Sequence, residues 1–174
     1  MGAINGLPAH ILLVHAVVVL LPLAALLLML TAIWPTLRSR LAGPNAILSV
    51  LVVVLVPVTT SAGEWLEHRV TESALLRDHT ELGDTAIWAA LPVAVLAIAI
   101  WWRQREAGDT TGRRTYLAAG SAAVTRIVIA LAVVIAGFAV YDTYRIGDSG
   151  AKASWTGNFS STPSQHGPGQ RDGD

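Results

Sequence analysis

Cysteine is absent from the 174 residues. That excludes disulfides, thiolate metal centres, iron–sulfur clusters and covalently attached c-type haem. Any metal or haem must rest on histidine, carboxylate or methionine. Charge is scarce as well: 14% of the residues are charged, where a soluble domain carries about a quarter. Nor is there a basic surplus, with 12 Lys and Arg against 12 Asp and Glu. Nucleic acid is therefore not the expected partner, since phosphate binding needs basic charge gathered on one face. The chain also lacks a phosphate-binding loop, a nucleophile elbow and an HExxH zinc motif. Nothing points to an enzyme of familiar type.

What the chain does have is apolar sequence in long runs. Hydrophobic residues make up 53% of it, and their concentration is the signature of membrane spans rather than of a globular core. From Ala9 to Trp34 almost every residue is apolar, and Pro8 suits the first turn of a helix. No basic residue precedes this run, and it is too long for a signal-peptide core, so it reads as a retained helix. Pro22 is expected to kink it. Residues 36–44, with Arg38 and Arg40, read as a loop. The second span runs from about Asn45, with its helix reaching His68 and Pro57 inside it. Residues 69–84 form an acid-rich connection, and the third span follows to Trp102, with Pro92 inside. Residues 103–116 form an arginine-rich connection. The fourth span begins near Ala118, with Gly120, Ser121, Ala122 and Ala123 as small residues for close helix contact. Arg126 lies in its first third, placed to snorkel to the basic side. After Tyr144 the chain turns rich in Gly, Ser, Pro and Asp.

The expected architecture is an all-α, integral-membrane four-helix bundle. Its transmembrane domain covers residues 1–155, with spans at about 9–34, 45–68, 84–102 and 118–144, and a disordered tail follows at 156–174. Arginine-rich, acid-poor connections mark the cytoplasm. The first and third connections fit and the second does not, which predicts an N-out, C-out topology in a bacterial plasma membrane. Trp34 and Trp101-Trp102 then form the inner aromatic belt, and Trp65, Tyr141 and Tyr144 the outer one. The partners expected are the lipid bilayer and either another membrane protein or a second copy of the chain.

Under that topology His10, His15, His68 and His79 share the outer end of the bundle. His15 lies ~7.5 Å deeper than His10 on helical rise. Five residues of helix also turn it by ~140° away from His10, so the two do not share a face. Glu64 and His68 are four apart and do share one. Neutral imidazole is the common axial ligand of b-type haem and a common ligand of zinc and copper. The candidate cofactor ligands are therefore His10, His15, His68 and His79, for one haem b or one divalent metal, with Glu64 as a further metal ligand. Gly63 and Gly83 would let a flat porphyrin or another helix come close. Simpler roles stand beside these. His10 and His68 lie near helix ends, where an imidazole faces headgroups and water. His15 also has a structural hydrogen bond to Glu64 or Thr60 open to it, and His79 a solvated or capping role. Tyr141-Asp142-Thr143-Tyr144-Arg145 reads as an interfacial anchor with a local ion pair.

One stretch carries a resemblance. Gly6-Leu7-Pro8-Ala9-His10-Ile11-Leu12-Leu13-Val14-His15, followed by Leu21-Pro22-Leu23-Ala24, resembles the opening of the bacterial membrane-protein family known as domain of unknown function 2231. Gly63, His79 and Gly147-Asp148-Ser149-Gly150-Ala151 are also similar to members from actinobacteria. The resemblance covers about residues 4–155. It implies four transmembrane helices and a plasma-membrane location, and carries no activity with it. Two functional expectations stand. In the first, the chain binds one haem b or one divalent metal through its histidines, in redox or metal handling. In the second, it is a non-catalytic accessory or scaffold subunit whose polar cluster holds helices together. A transporter is disfavoured, because no continuous polar pathway is visible along the spans.

Overall fold

The computed structural model describes residues 2–4, 6–108, 116–117 and 120–160. Most of the third connection and the tail from residue 161 onward lie outside the described residues. A short hairpin opens the chain: β1 (Ala3–Ile4) pairs antiparallel with β2 (Leu7–Pro8). Gly6 makes the turn with φ +80, a left-handed conformation that glycine adopts without a Cβ penalty. The hairpin brings the Gly2 carbonyl to 3.1 Å from the Ala9 N–H, which partners one of the free amides that begin a helix.

Five helices follow: α1 (Ala9–Ile33), α2 (Pro35–Glu67), α3 (Ala74–Gly83), α4 (Ala86–Ala107) and α5 (Ala122–Trp155). Four candidate spans result, with α3 and α4 joined end to end in the third. The 25 residues of α1 rise ~37 Å, enough to cross a ~30 Å hydrocarbon core. Helix α1 packs on α2 and α5, and α4 packs on the same two. The four long helices therefore form a ring in the order α1, α2, α4, α5. Helix α3 continues the line of α4 and packs against α5 and α2.

Alanine dominates the interior. Ala24, Ala25, Ala89, Ala90, Ala132 and Ala139 are fully or almost fully buried, with Leu21, Leu28, Val52 and Val93 among them. Small residues let the backbones approach where lipid offers no hydrophobic drive to associate. Outside, Ile47, Trp88, Val95 and Val134 are each more than 60% exposed, a surface suited to lipid and not to water. Asn45, 1% exposed, ties α2 to α1. With its amide nitrogen turned to α1, it bonds Ala24 O at 3.2 Å and accepts from Leu28 N at 3.1 Å.

Two local expectations are corrected. Residues 36–44 are helical rather than a loop. Trp34 alone makes the corner, and Pro35 occupies the first helical position, where its missing N–H costs nothing. Arg38 folds back from α2 and donates through Nε to Thr31 O at 2.8 Å and through Nη2 to Ala32 O, so the last carbonyls of α1 find donors without a loop. The carbonyl left without a helical donor by Pro44 is that of Arg40, an exposed residue. Second, Ala122 and Ala123 are exposed. The close contact of α5 is made further along, by Ala132, Ala136 and Ala139.

Candidate functional site

His10 stands in the first turn of α1 and His79 in the middle of α3. The fold brings them together, with ring centroids 6.4 Å apart and planes at 72°. Both rings are half-buried. They border a crevice between α1, α2, α3 and α5, whose other lining residues include Val14, Val17, Leu21, Val56 and Ile146.

Each ring is seated on a glycine of a neighbouring helix. A Cβ at Gly63 would lie 3.0 Å from His10 Nδ1 and 3.1 Å from its Cε1. A Cβ at Gly150 would lie 2.9 Å from His79 Cε1. The glycines do more than leave room. Side chains on a helix tilt toward its N-terminus, so one at position 63 would overhang the Thr59 carbonyl. Without it, His10 Nδ1 reaches Thr59 O at 3.0 Å. A carbonyl only accepts, so Nδ1 donates and carries the ring proton of the neutral imidazole.

The same reasoning holds for His79. Its Nδ1 lies 3.0 Å from Ser149 Oγ, and that hydroxyl donates its one hydrogen to Ile146 O at 2.9 Å. Ser149 Oγ is therefore the acceptor, and His79 Nδ1 the donor. A partner on one ring nitrogen that leaves the other free is the arrangement found behind metal-ligating histidines.

The other sequence candidates do not join this pair. His15 is exposed on the outer surface of α1, and its Nδ1 bonds the Ile11 carbonyl of its own helix rather than Glu64 or Thr60. The five-residue spacing turns it away from His10, and no helix covers that face. His68 caps the C-terminus of α2 through its backbone, with its side chain exposed. Glu64, one turn earlier, is exposed too. Among the described residues no group of three or more His, Asp or Glu stands close enough to hold a metal ion.

Thr59, Ser149 and Gly150 escaped the sequence reading as parts of this site, although a glycine facing each histidine was a usable signal. Asp142 was read only as part of an interfacial anchor. It is 2% exposed, and makes no ion pair among the described residues. Arg145, its expected partner, instead lies over the Tyr141 ring at 5.9 Å. Asp142 faces Thr85, the residue before α4, whose Oγ1 lies 3.0 and 3.2 Å from its two carboxyl oxygens.

At the opposite end the polar groups are basic. Arg103 is 8% exposed and donates from Nη2 to Thr125 Oγ1 at 3.1 Å. It shares a second crevice, of about 340 Å³, with Arg38.

Four apolar helices long enough to span a bilayer, with lipid-suited outer faces, define a multi-pass helical membrane protein whose polar side chains gather at the two ends of the bundle. The family is shown by sequence: residues 6–163 match the model of the family described as "Predicted membrane protein (DUF2231)", and the chain belongs to it. No curated protein and no solved structure matches it.

Proposed function

We propose that the crevice binds one haem b, with His10 and His79 as its axial ligands, and that the protein handles electrons at one face of the membrane. The observation that carries this reading is the pair of imidazoles from separate helices, facing each other with Nδ1 of each engaged by a neighbouring helix. Their ring centroids are 6.4 Å apart, so His10 and His79 would be the residues to hold such a group. The number of ligands favours haem over a divalent ion. A structural or catalytic zinc takes at least three protein ligands, whereas a porphyrin supplies four nitrogens and asks the protein for two. An apolar lining suits the macrocycle.

The proposal includes the orientation. Arg38, Arg40, Arg103 and Arg105 gather at the end away from the histidines, and the positive-inside rule turns that end to the cytoplasm. The histidine crevice then opens near the outer face of a bacterial plasma membrane, with both termini outside.

A second reading has its own support. His10 bonds α1 to α2 and His79 bonds α3 to α5, so the imidazoles serve as ties in an accessory subunit. One experiment separates the two: absorption spectra of the detergent-purified protein, oxidised and dithionite-reduced, before and after haem reconstitution. Haem binding gives a Soret band that shifts on reduction. It is lost in His10→Ala and His79→Ala and kept in His15→Ala and His68→Ala. A protein that stays colourless after reconstitution, with the first two variants merely less stable, overturns the haem reading in favour of the structural one.

A further inference from the structure

Two arginines from different helices share one crevice at the end of the bundle away from the histidines. Arg38 stands in the first turn of α2 and Arg103 one turn before the end of α4. The crevice lies between α1, α2, α4 and α5. Trp34, Trp101 and Trp102 are within four residues of the two arginines, which puts the crevice at the depth where indoles meet lipid headgroups.

Both guanidiniums are held in place. Arg103 is 8% exposed, and its Nη2 donates to Thr125 Oγ1 at 3.1 Å. Thr125 gives its own hydrogen to Ser121 O at 2.9 Å, so toward the arginine its hydroxyl only accepts. Arg38 is half-buried and donates to Thr31 O and Ala32 O. A guanidinium has five N–H groups and these bonds use two, so three remain without an acceptor among the described residues.

The two cations are near enough to repel each other. No Asp or Glu is among the described residues that line the crevice. Among the described residues of the four long helices, Glu106 is the one acid at this end. It is close enough to Arg103 to feel its charge. Its oxygens, however, accept from Trp102 Nε1 and Tyr116 N at 2.9 Å and from Leu117 N at 3.0 Å. Arg40, Arg105 and Arg126, all exposed, add only positive charge around the crevice. Capping α1 and bonding α5 would not require the two arginines to face the same space. An anion between them gives that placement a use, since like charges at a membrane interface are costly to hold together.

We propose that this crevice binds a phosphate group between Arg38 and Arg103. The planar fork of a guanidinium matches phosphate oxygens in pairs. A basic pocket between spans at headgroup depth takes anionic lipid headgroups, and free inorganic phosphate offers the same oxygens. The site lies at the other end of the bundle from the histidine crevice and does not depend on what that crevice binds.

Thermal unfolding of the full-length protein, stripped of lipid in a non-ionic detergent, tests this with two probes. One is inorganic phosphate, with sodium chloride at matched ionic strength as its blank. The other is phosphatidylglycerol added to the micelles, with phosphatidylcholine as its blank. The expected result is a concentration-dependent rise in Tm that the blank does not reproduce. A rise with phosphate shows that the free anion suffices, and a rise with phosphatidylglycerol alone assigns the site to a lipid headgroup. Arg38→Gln and Arg103→Gln should each weaken the apparent affinity about 10–100-fold, while Arg40→Gln should leave it unchanged. Arg38→Gln carries the test if Arg103→Gln does not fold. Native mass spectrometry of the wild type, which needs no variant, should show one bound probe per chain. No rise beyond the blanks with either probe, or an equal rise in the wild type and Arg38→Gln, overturns the proposal.

Discussion

Gly63→Ala should destabilise the protein only while His10 is present. The added Cβ would sit 3.0 Å from Nδ1 and 3.1 Å from Cε1 of His10. Ordinary van der Waals contact begins near 3.4 Å, so the imidazole must retreat by about 0.4 Å. The hydrogen bond to Thr59 O, now 3.0 Å, cannot follow without stretching to the edge of the useful range. Overpacking of this kind costs about 1–3 kcal/mol, and losing a hydrogen bond about 0.5–1.5 kcal/mol. Alanine offsets about 0.5–1 kcal/mol through its better helix propensity. The net effect is a loss of about 1–3 kcal/mol. In a His10→Ala background the obstacle is gone and only the propensity remains, so the same substitution should be neutral or stabilising by up to about 1 kcal/mol. The coupling between the two positions is then about 2 kcal/mol. Reversible unfolding in mixed detergent, monitored by circular dichroism on the wild type, both single variants and the double variant, measures it. Equal effects of Gly63→Ala in the two backgrounds would refute the claim that this glycine exists to seat the imidazole.

Three further outcomes follow from the geometry. Ser149→Ala removes the acceptor of His79 Nδ1, and if the crevice holds haem its affinity should fall about 10–100-fold, read by haem titration followed in absorbance. Gly2→Val should displace Trp65, since even a Cβ at position 2 would lie 2.3 Å from Trp65 Cζ2. Tryptophan emission should shift to longer wavelength, and unchanged emission would show that the N-terminal hairpin does not cover that ring. Asn45→Leu should cost about 1–3 kcal/mol in the same unfolding assay, because it removes both bonds to α1.

The four long apolar helices were legible because a bilayer demands long apolar runs, and such runs are local. The corner at Trp34 was not. Residues 36–44 are polar and end in proline, which reads as a loop, yet a proline at the first helical position and a backfolded Arg38 let the helix begin at once. Of the histidines, sequence spacing correctly separated His10 from His15, since 140° of helical turn is a local property. The partner of His10 is a different matter. His10 and His79 meet only because α3 carries the third span on past α4 to the level of the first turn of α1, and that is a tertiary pairing no local periodicity encodes. Asp142 was misread for a similar reason. Beside Tyr141, Tyr144 and Arg145 it looks interfacial, but its side chain is buried against Thr85 of the neighbouring span, which the local sequence does not reveal.

The glycines join these observations into one argument. Gly63 was read as an opening for a porphyrin or a helix, and it is instead filled by an imidazole. Gly150 is filled in the same way by the second one. Had the imidazoles served only as ties between helices, a serine or threonine at either glycine position could have bonded the opposite helix directly, at lower cost than burying a ring against bare backbone. Seating a ring on a glycine does something a tie does not require: it fixes the plane and the protonated nitrogen of the imidazole together. Both rings are held this way, from different helices, with Nδ1 committed each time. On the proposed reading that duplication serves to hold the two rings in fixed planes across the crevice, and the Gly63–His10 coupling is where that reading meets its first test.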